Sequence, residues 1–269
     1  MANINSLGNL YNANYLFNTQ SKKQDSIAKL WSGYNSFQSN ATEALAGLTE
    51  INSGVKSVLA SYEDAKTAFN TEFDEAIGDL SKSAEKLKGY NFTVDDKEGA
   101  ITTTTETDKD GNVTSKTTYS EQLQAAVDTV KNFVNDYNSA VKFFGDNASV
   151  SKRIGMLQQT FADTTYRAAS YSSIGLSVNS DGSVSVNEAE LANAILNNPG
   201  KVSSVLGKDG FADKAESHID FAESQKENLF PTAQSMLGDQ LDTAALYTGS
   251  AYRNMTALNN VGNLLNMMF

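Results

Sequence analysis

Apolar residues recur in alternating steps of three and four along two long stretches of the chain. The first stretch runs from about Ser39 to Gly89. Its apolar positions are Leu48, Ile51, Val55, Val58, Tyr62, Ala65 and Phe69. This spacing is typical of a coiled-coil seam. The steps lengthen to mostly four past Phe69, which is a stutter that locally unwinds a supercoil. The pattern predicts a long helix over residues 39–89.

The second stretch predicts another long helix, with Ser120 as its N-cap and Gly145 at its end. Its seam is unbroken and consists of Leu123, Val127, Val130, Val134, Tyr137, Val141 and Phe144. A shorter helix is expected over residues 149–169, and a charged one from Phe211 to about Leu229. A last helix, over about 233–266, has a weaker seam of small residues. We expect it to need a partner, and its assembly positions are Met255, Leu258, Leu265 and Phe269.

Two Asp-Gly dipeptides predict β-hairpins, because Asp-Gly favours the tight turns that join antiparallel strands. Asp110-Gly111 lies between residues 100–107 and 112–119, which are rich in threonine. Few of these side chains are large and apolar, so we expect an exposed hairpin whose register is weakly specified.

The second hairpin belongs to a β-β-α segment, residues 174–206, that we call the clip. Strands over 175–178 and 183–186 flank Asp181-Gly182. Asn187 is positioned to cap a short helix, with Glu190 three residues later. Pro199 should end that helix. The residues expected to define the clip are Ile174, Leu176, Asp181, Gly182, Val186 and Leu191.

These elements predict a mainly α fold: a long antiparallel coiled coil or helical bundle with small β-hairpin insertions (α+β). Residues 1–38 are expected to be an N-terminal assembly or export segment. A helical rod is predicted from residues 39–89, 119–170 and 233–269. Residues 90–118 would form the exposed hairpin, and residues 171–232 the clip with a following helix.

The composition excludes several classes of partner. The 269 residues carry a formal net charge of -11, which argues against nucleic acid and against an anionic membrane surface. No apolar run has the roughly 18 residues that a membrane-spanning helix needs, so no membrane insertion is expected. The first residues lack the basic and apolar regions of a secretory signal.

The residue inventory also argues against an enzyme. There is no cysteine, and His218 is the single histidine, which we expect to be solvated or to cap a helix. No phosphate-binding or dinucleotide-binding motif occurs. The frame from Ser177 to Glu188 resembles a calcium loop but lacks an acidic first ligand. We therefore expect no catalytic residue, no cofactor and no metal.

Two segments resemble the bacterial flagellar filament-capping family, of the hook-associated protein 2 type. The clip is similar to that family's "IGI…-D-G-x-L-S-L-D-E-x-x-L-x-x-A-L…P-x-x-V" run. The stretch from Val130 to Ser139, with Phe133, Tyr137 and Asn138, resembles the "V-x-x-F-V-x-x-Y-N" helix before it. The resemblance is strongest over residues 119–206. The family's "G-L-D-T"-like opening is absent, and the segment available for a central domain is short. A capping-protein-like axial protein therefore fits better than a filament cap itself.

The resemblance implies a structural protein of the bacterial flagellum, cap-like or filament-associated, that self-assembles through coiled-coil helices. The implied partners are further copies of the chain, flagellin or other flagellar axial proteins, and an export chaperone. The implied location is the extracellular flagellum, reached without a cleaved signal peptide. The alternative is an extracellular adhesin or accessory surface-binding protein that displays the Thr-rich hairpin.

Overall fold

The computed structural model describes residues 48–107, 113–236 and 238, with side chains in 56–105, 116–236 and 238. This part is mainly helical with two small antiparallel β-hairpins, as predicted. A long coiled coil is not confirmed. The helices are α1 (Leu48–Lys88), α2 (Glu121–Asn147), α3 (Lys152–Phe161), α4 (Ala168–Ser172), α5 (Glu188–Asn197), α6 (Pro199–Leu206) and α7 (Phe211–Gln225). The strands are β1 (Ile101–Thr107), β2 (Val113–Tyr119), β3 (Leu176–Val178) and β4 (Val184–Val186).

The chain divides into two compact units. In the described residues, the first unit comprises 48–72, 149–153 and 226–236 with 238. The second unit comprises 73–148 and 154–225. Helix α1 contributes its first part to the first unit and its last part to the second.

Apolar residues of α1 and of the 229–233 segment form the core of the first unit. The ring of Phe230 packs against Tyr62 and Phe69, with centroids 5.7 and 5.4 Å apart. The hydroxyl of Tyr62 donates a hydrogen bond to the carbonyl of Pro231 at 2.9 Å. Burial raises the pKa of Tyr62 to about 12, because the phenolate would lose its hydration.

Helix α2 is the centre of the second unit. Ser120 caps it as predicted, since the Ser120 hydroxyl accepts from the amide of Leu123 at 3.5 Å. The helix does not end at Gly145 but continues to Asn147. The buried side chain of Asn147 donates to the carbonyl of Phe143 at 2.8 Å, which keeps the last turn helical. The predicted end was wrong because a single glycine weakens a helix without ending it.

The helix predicted over 149–169 is also wrong in its extent. Helix α3 ends at Phe161, a 3-10 turn occupies Ala162–Arg167, and α4 follows. The 3-10 turn lies against the hairpin of the clip, where the Thr164 hydroxyl donates to the carbonyl of Gly182 at 2.7 Å. This tertiary contact overrides the local helical pattern.

Aromatic rings fill the core of the second unit beside α2. Phe211 of α7 contacts three of them, Phe133, Tyr137 and Tyr171, with centroids 4.7 to 4.9 Å apart. All four rings are buried. Buried aromatic rings contribute large apolar areas, so this cluster joins α2, α4 and α7 into one body.

Candidate interaction surfaces

The side chain of Asn138, in α2, makes two hydrogen bonds to strand β4 of the clip. The side-chain amide of Asn138 donates to the carbonyl of Val184 at 2.7 Å. Its side-chain oxygen accepts from the backbone amide of Val184 at 2.8 Å. Asn138 thus provides hydrogen-bond partners for both the amide and the carbonyl of Val184, as a third strand paired with β4 would. We call this pair of hydrogen bonds the Asn138 clamp.

Two glycines allow the clip to approach its neighbours closely. Gly182 has φ +87°, and a Cβ there would lie 2.4 Å from the Cα of Ala162. Gly175 has φ +86°, and its Cβ would lie 2.6 Å from the backbone nitrogen of Leu191. Both positions therefore exclude side chains for two reasons: the left-handed backbone and the absence of space.

The Asp181-Gly182 turn is held by its own hydrogen bonds. The carboxylate of Asp181 accepts from the hydroxyl of Ser183 at 2.7 Å and from its backbone amide at 3.0 Å. These bonds lower the pKa of Asp181, the Ser183 side chain having the larger effect. The described residues contain no group of three or more potential metal ligands.

The helix of the clip begins where the sequence predicted. Asn187 caps α5, accepting from the amide of Glu190 at 3.2 Å. Glu188 in the first turn forms an ion pair of 2.5 Å with Lys131 of α2. Helix α5 ends at Asn197, just before Pro199 as predicted, and Pro199 also begins α6. Proline is well suited to the first position of a helix, because its missing amide has no partner there.

The clip residues named from sequence lie in one hairpin-helix unit. Ile174, Leu176 and Leu191 are buried, Val186 is half-buried and Asp181 is exposed. Strands β3 and β4 pair Leu176 with Val186 and Val178 with Val184.

The predicted seam residues with described side chains are buried. In α1 these are Val58, Tyr62 and Phe69, and in α2 they are Leu123, Val127, Val130, Val134, Tyr137, Val141 and Phe144. The side chains of Leu48, Ile51 and Val55 lie outside the described residues, although α1 includes their backbone. Residues 1–38 and the assembly positions Met255, Leu258, Leu265 and Phe269 also lie outside them.

Tyr137 does more than fill the seam. Its hydroxyl donates a hydrogen bond to the carbonyl of Phe161, the last residue of α3. Burial raises the pKa of Tyr137 well above its ordinary value. Tyr137 and Asn138 are adjacent in the stretch that resembles the capping family. One holds the end of α3, and the other holds strand β4.

His218 is not solvated, which corrects the expectation from sequence. Its side chain is 9% exposed, and its Nε2 lies 3.3 Å from a carboxylate oxygen of Asp163. Its Nδ1 is buried without a hydrogen-bond partner in the described residues. The position could have been recognised from the buried stripe of α7, because His218 lies between Ala215 and Ala222 in steps of three and four.

A lysine at the end of α1 contacts two carboxylates of α7. The Nζ of Lys88 lies 2.9 Å from Asp213 and also contacts Glu216. These hydrogen bonds raise the pKa of Lys88, that to Glu216 having the larger effect. The three side chains are partly exposed, so solvent weakens the attraction.

Strands β1 and β2 form a hairpin, residues 101–119, that we call the Thr ribbon. It contains seven residue pairs, from Ile101 with Tyr119 to Thr107 with Val113. Thr103 and Thr117 face each other with hydroxyl oxygens 3.3 Å apart. Consecutive residues point to opposite faces, and the side chains of 102–105 and 116–118 are all exposed. Both faces of the ribbon are therefore exposed over residues 102–105 and 116–118.

The chain matches no family model, no curated protein and no solved structure. None of the described helices has the length and apolar character needed to cross a membrane.

Proposed function

We propose that this chain is a structural protein of the bacterial flagellum, cap-like or filament-associated, that acts by self-assembly. The observation that carries this proposal is the Asn138 clamp. The two segments that resemble the capping family, Val130 to Ser139 and the clip, are separate in sequence. They are joined by the clamp and by the Lys131–Glu188 ion pair. This contact supports treating the two resemblances as one module.

In this proposal, assembly uses coiled-coil pairing of long antiparallel helices. The last helix would pack against neighbouring copies through Met255, Leu258, Leu265 and Phe269, because the small residues at its other seam positions leave the seam underfilled. The N-terminal segment, 1–38, would serve assembly or export. The partners would be other copies, flagellin or other axial proteins, and an export chaperone. The protein would lie outside the cell, on the flagellum.

A pair of charge substitutions tests the assembly step in the full chain. Leu258→Asp with Leu265→Asp would place two charges in the proposed seam, and burying unpaired charges is strongly unfavourable. We expect sedimentation velocity to show loss of the oligomer formed by the parent chain. The matched control is Asn259→Asp with Asn260→Asp, which adds the same charge beside the seam. A monomeric parent, or equal loss in the control, would contradict the proposal.

The flagellar location needs a separate experiment in cells. We expect the protein in the culture medium and on filaments labelled with antibody, and no export in a strain that lacks the flagellar export apparatus. Export that persists in that strain would rule out the flagellar route while leaving self-assembly untouched.

The exposed Thr ribbon favours a second candidate function, an extracellular adhesin or accessory surface-binding protein. Several exposed threonine hydroxyls, those of Thr102, Thr104 and Thr118, already donate to backbone carbonyls in or beside the ribbon. Their oxygens keep the acceptor capacity that could bind the hydroxyls of a sugar. Binding of the full chain to a glycan array, lost when residues 104–116 are replaced by Asn-Gly, would support this function. Equal binding by the shortened chain would exclude residues 104–116 as the receptor site.

A further inference from the structure

The free edge of strand β1 in the Thr ribbon lacks most of the features that usually prevent an exposed strand from pairing with another chain. Among the described residues, β1 pairs with β2 alone. The register runs from residue 101 to 119 without a bulge, and the strand sequences contain no proline. Exposed edges are commonly protected by bulges, prolines and charges. Strand β1 carries one charged residue, Glu106.

The hydrogen bonds at the base of the ribbon show which backbone groups face this edge. The amide of Ser120 donates to the carbonyl of Ala100 at 2.8 Å. Hydrogen-bonded and non-hydrogen-bonded pairs alternate along an antiparallel ladder. The backbone groups of Thr102 and Thr104 therefore point toward β2. Those of Thr103 and Thr105 point away from it, so the free edge presents unpaired donors and acceptors.

A ribbon of two strands with both faces in water is marginally stable, because it has no apolar face to bury. Adding strands at an edge satisfies backbone groups without any apolar contact. We propose that the free edge of β1 pairs antiparallel with the β1 edge of a second copy of this chain. The product is a four-stranded sheet in the order β2-β1-β1-β2, with a two-fold axis at Thr104.

The charges in the two strands explain why β1, and not β2, lies at the centre of the proposed sheet. Pairing all seven residues of β2 with those of a second β2 would set Lys116 directly opposite its copy. Like charges in opposite positions are destabilising. The same full pairing of β1 sets Thr104 opposite its copy and Glu106 opposite Thr102, with no like charges facing.

The hydrogen-bond phase of β1 also fits this register. The outward-facing residues would meet each other, since Thr103 of one copy lies opposite Thr105 of the other. Thr104, whose backbone groups are already used within the hairpin, would form a non-hydrogen-bonded pair with its copy. This contact is additional to the proposed coiled-coil assembly and does not depend on a flagellar role.

A cysteine at the two-fold axis tests the register directly in the full chain, which has no other cysteine. Opposite residues in a non-hydrogen-bonded pair have Cα atoms about 4.5 Å apart, within the range of a disulfide. We expect Thr104→Cys to form a disulfide-linked dimer under mild oxidation. The matched control is Thr118→Cys, exposed on the outer strand. Its copies would lie about 20 Å apart, being separated by about 14 Å across three strand spacings and by about 14 Å along the strands. Absence of the Thr104→Cys dimer, or equal dimer from the control, would overturn the proposal.

A pair of proline variants tests the edge through the backbone instead. Thr103→Pro removes an amide that faces the free edge of β1 and is not used within the hairpin. Thr117→Pro makes the matched change on the outer edge of β2. Either substitution also removes the contact between the Thr103 and Thr117 hydroxyls. Cross-linking of Thr104→Cys should fall at least tenfold with Thr103→Pro and stay unchanged with Thr117→Pro. Equal effects of the two prolines, or none, would overturn the proposed edge. If Thr104→Cys still cross-links when the terminal seam is disrupted, this contact is separate from the coiled-coil assembly.

Discussion

The clip hairpin and the Thr ribbon both carry Asp-Gly between their strands, yet they differ in length and in their contacts with the rest of the protein. The clip hairpin has three residue pairs, and the ribbon has seven. The shorter one is attached to α2 by Asn138 and lies against Ala162 at Gly182. The longer one has both faces exposed over residues 102–105 and 116–118. The length of a strand ladder is therefore a poor guide to how firmly a hairpin is held, and the contacts with a platform matter more.

The largest effect is expected from disrupting the platform under the clip. Val134→Asp or Val130→Asp would bury an unpaired charge in α2, where both valines are at most 2% exposed. We expect each to lower the free energy of unfolding by about 4 kcal/mol or more, measured by urea unfolding. The control is Asn135→Asp, on an exposed position of α2. A melting temperature within about a degree or two of the parent would contradict the burial.

The next largest effect is expected at the clip turn. Gly182→Ala adds backbone strain of about 1–2 kcal/mol and an overlap with Ala162 of about 1–3 kcal/mol. Gly99→Ala is the matched control, because Gly99 has φ +78° but no neighbour within 4 Å of a Cβ. We expect the control to cost about 1–2 kcal/mol. Equal losses of unfolding free energy would show that the close approach contributes nothing.

The Asn138 clamp should have an intermediate effect. Asn138→Ala removes two hydrogen bonds to Val184, and each contributes about 1 kcal/mol. We expect the free energy of unfolding to fall by about 2 kcal/mol. Ser139→Ala is the neighbouring control, which removes an exposed bond to the carbonyl of Asn135. A clamp variant as stable as this control would show that other contacts hold the clip.

A smaller, pH-dependent effect is expected from Asp181. Hydrogen bonds from Ser183 lower the pKa of Asp181 in the folded protein. The stability that these bonds contribute is therefore present above the ordinary carboxyl pKa and is lost as the pH falls through the folded pKa. Ser183→Ala should raise the pKa of Asp181 toward its ordinary value, measured by an NMR titration of the carboxyl group. The control is Ser185→Ala, because the Ser185 hydroxyl donates to the carbonyl of Ser177 and not to Asp181. This control should leave the pKa of Asp181 unchanged. A titration of Asp181 that Ser183→Ala does not shift would contradict the assignment.

The smallest effect is expected from shortening the Thr ribbon. Replacing residues 104–116 with Asn-Gly should leave the melting temperature of the dilute protein within about a degree or two, because the removed side chains described here bury little surface. Calorimetry measures both the midpoint and the cooperativity. A broadened transition would mean that the ribbon supports the second unit.

The elements of the fold that depend on local chemistry were predictable from sequence. The two hairpins, the caps at Ser120 and Asn187, and the burial of the α2 seam follow from rules that act within a few residues. The break after Phe161 does not, because it depends on the contact of Thr164 with Gly182, 18 positions later in the chain.

The side chains that join distant elements were harder to identify. The double hydrogen bond of Asn138 reaches a residue 46 positions away, and spacing alone does not indicate such a partner. Asp163 beside His218 is a similar case. The spacing of apolar residues in α7 indicates a buried position for His218, whereas the polarity of histidine favours an exposed one.

The two glycines of the clip give the module a short fingerprint for finding distant relatives. Gly182 and Gly175 would bring a Cβ against backbone atoms, of Ala162 and Leu191 respectively. No substitution in a neighbouring side chain can relieve a clash with the main chain. Apolar seam positions can exchange among several residues as sequences diverge, whereas these glycines cannot. A search that weights both glycines together with Asn138 should recognise the clip after overall sequence identity has been lost.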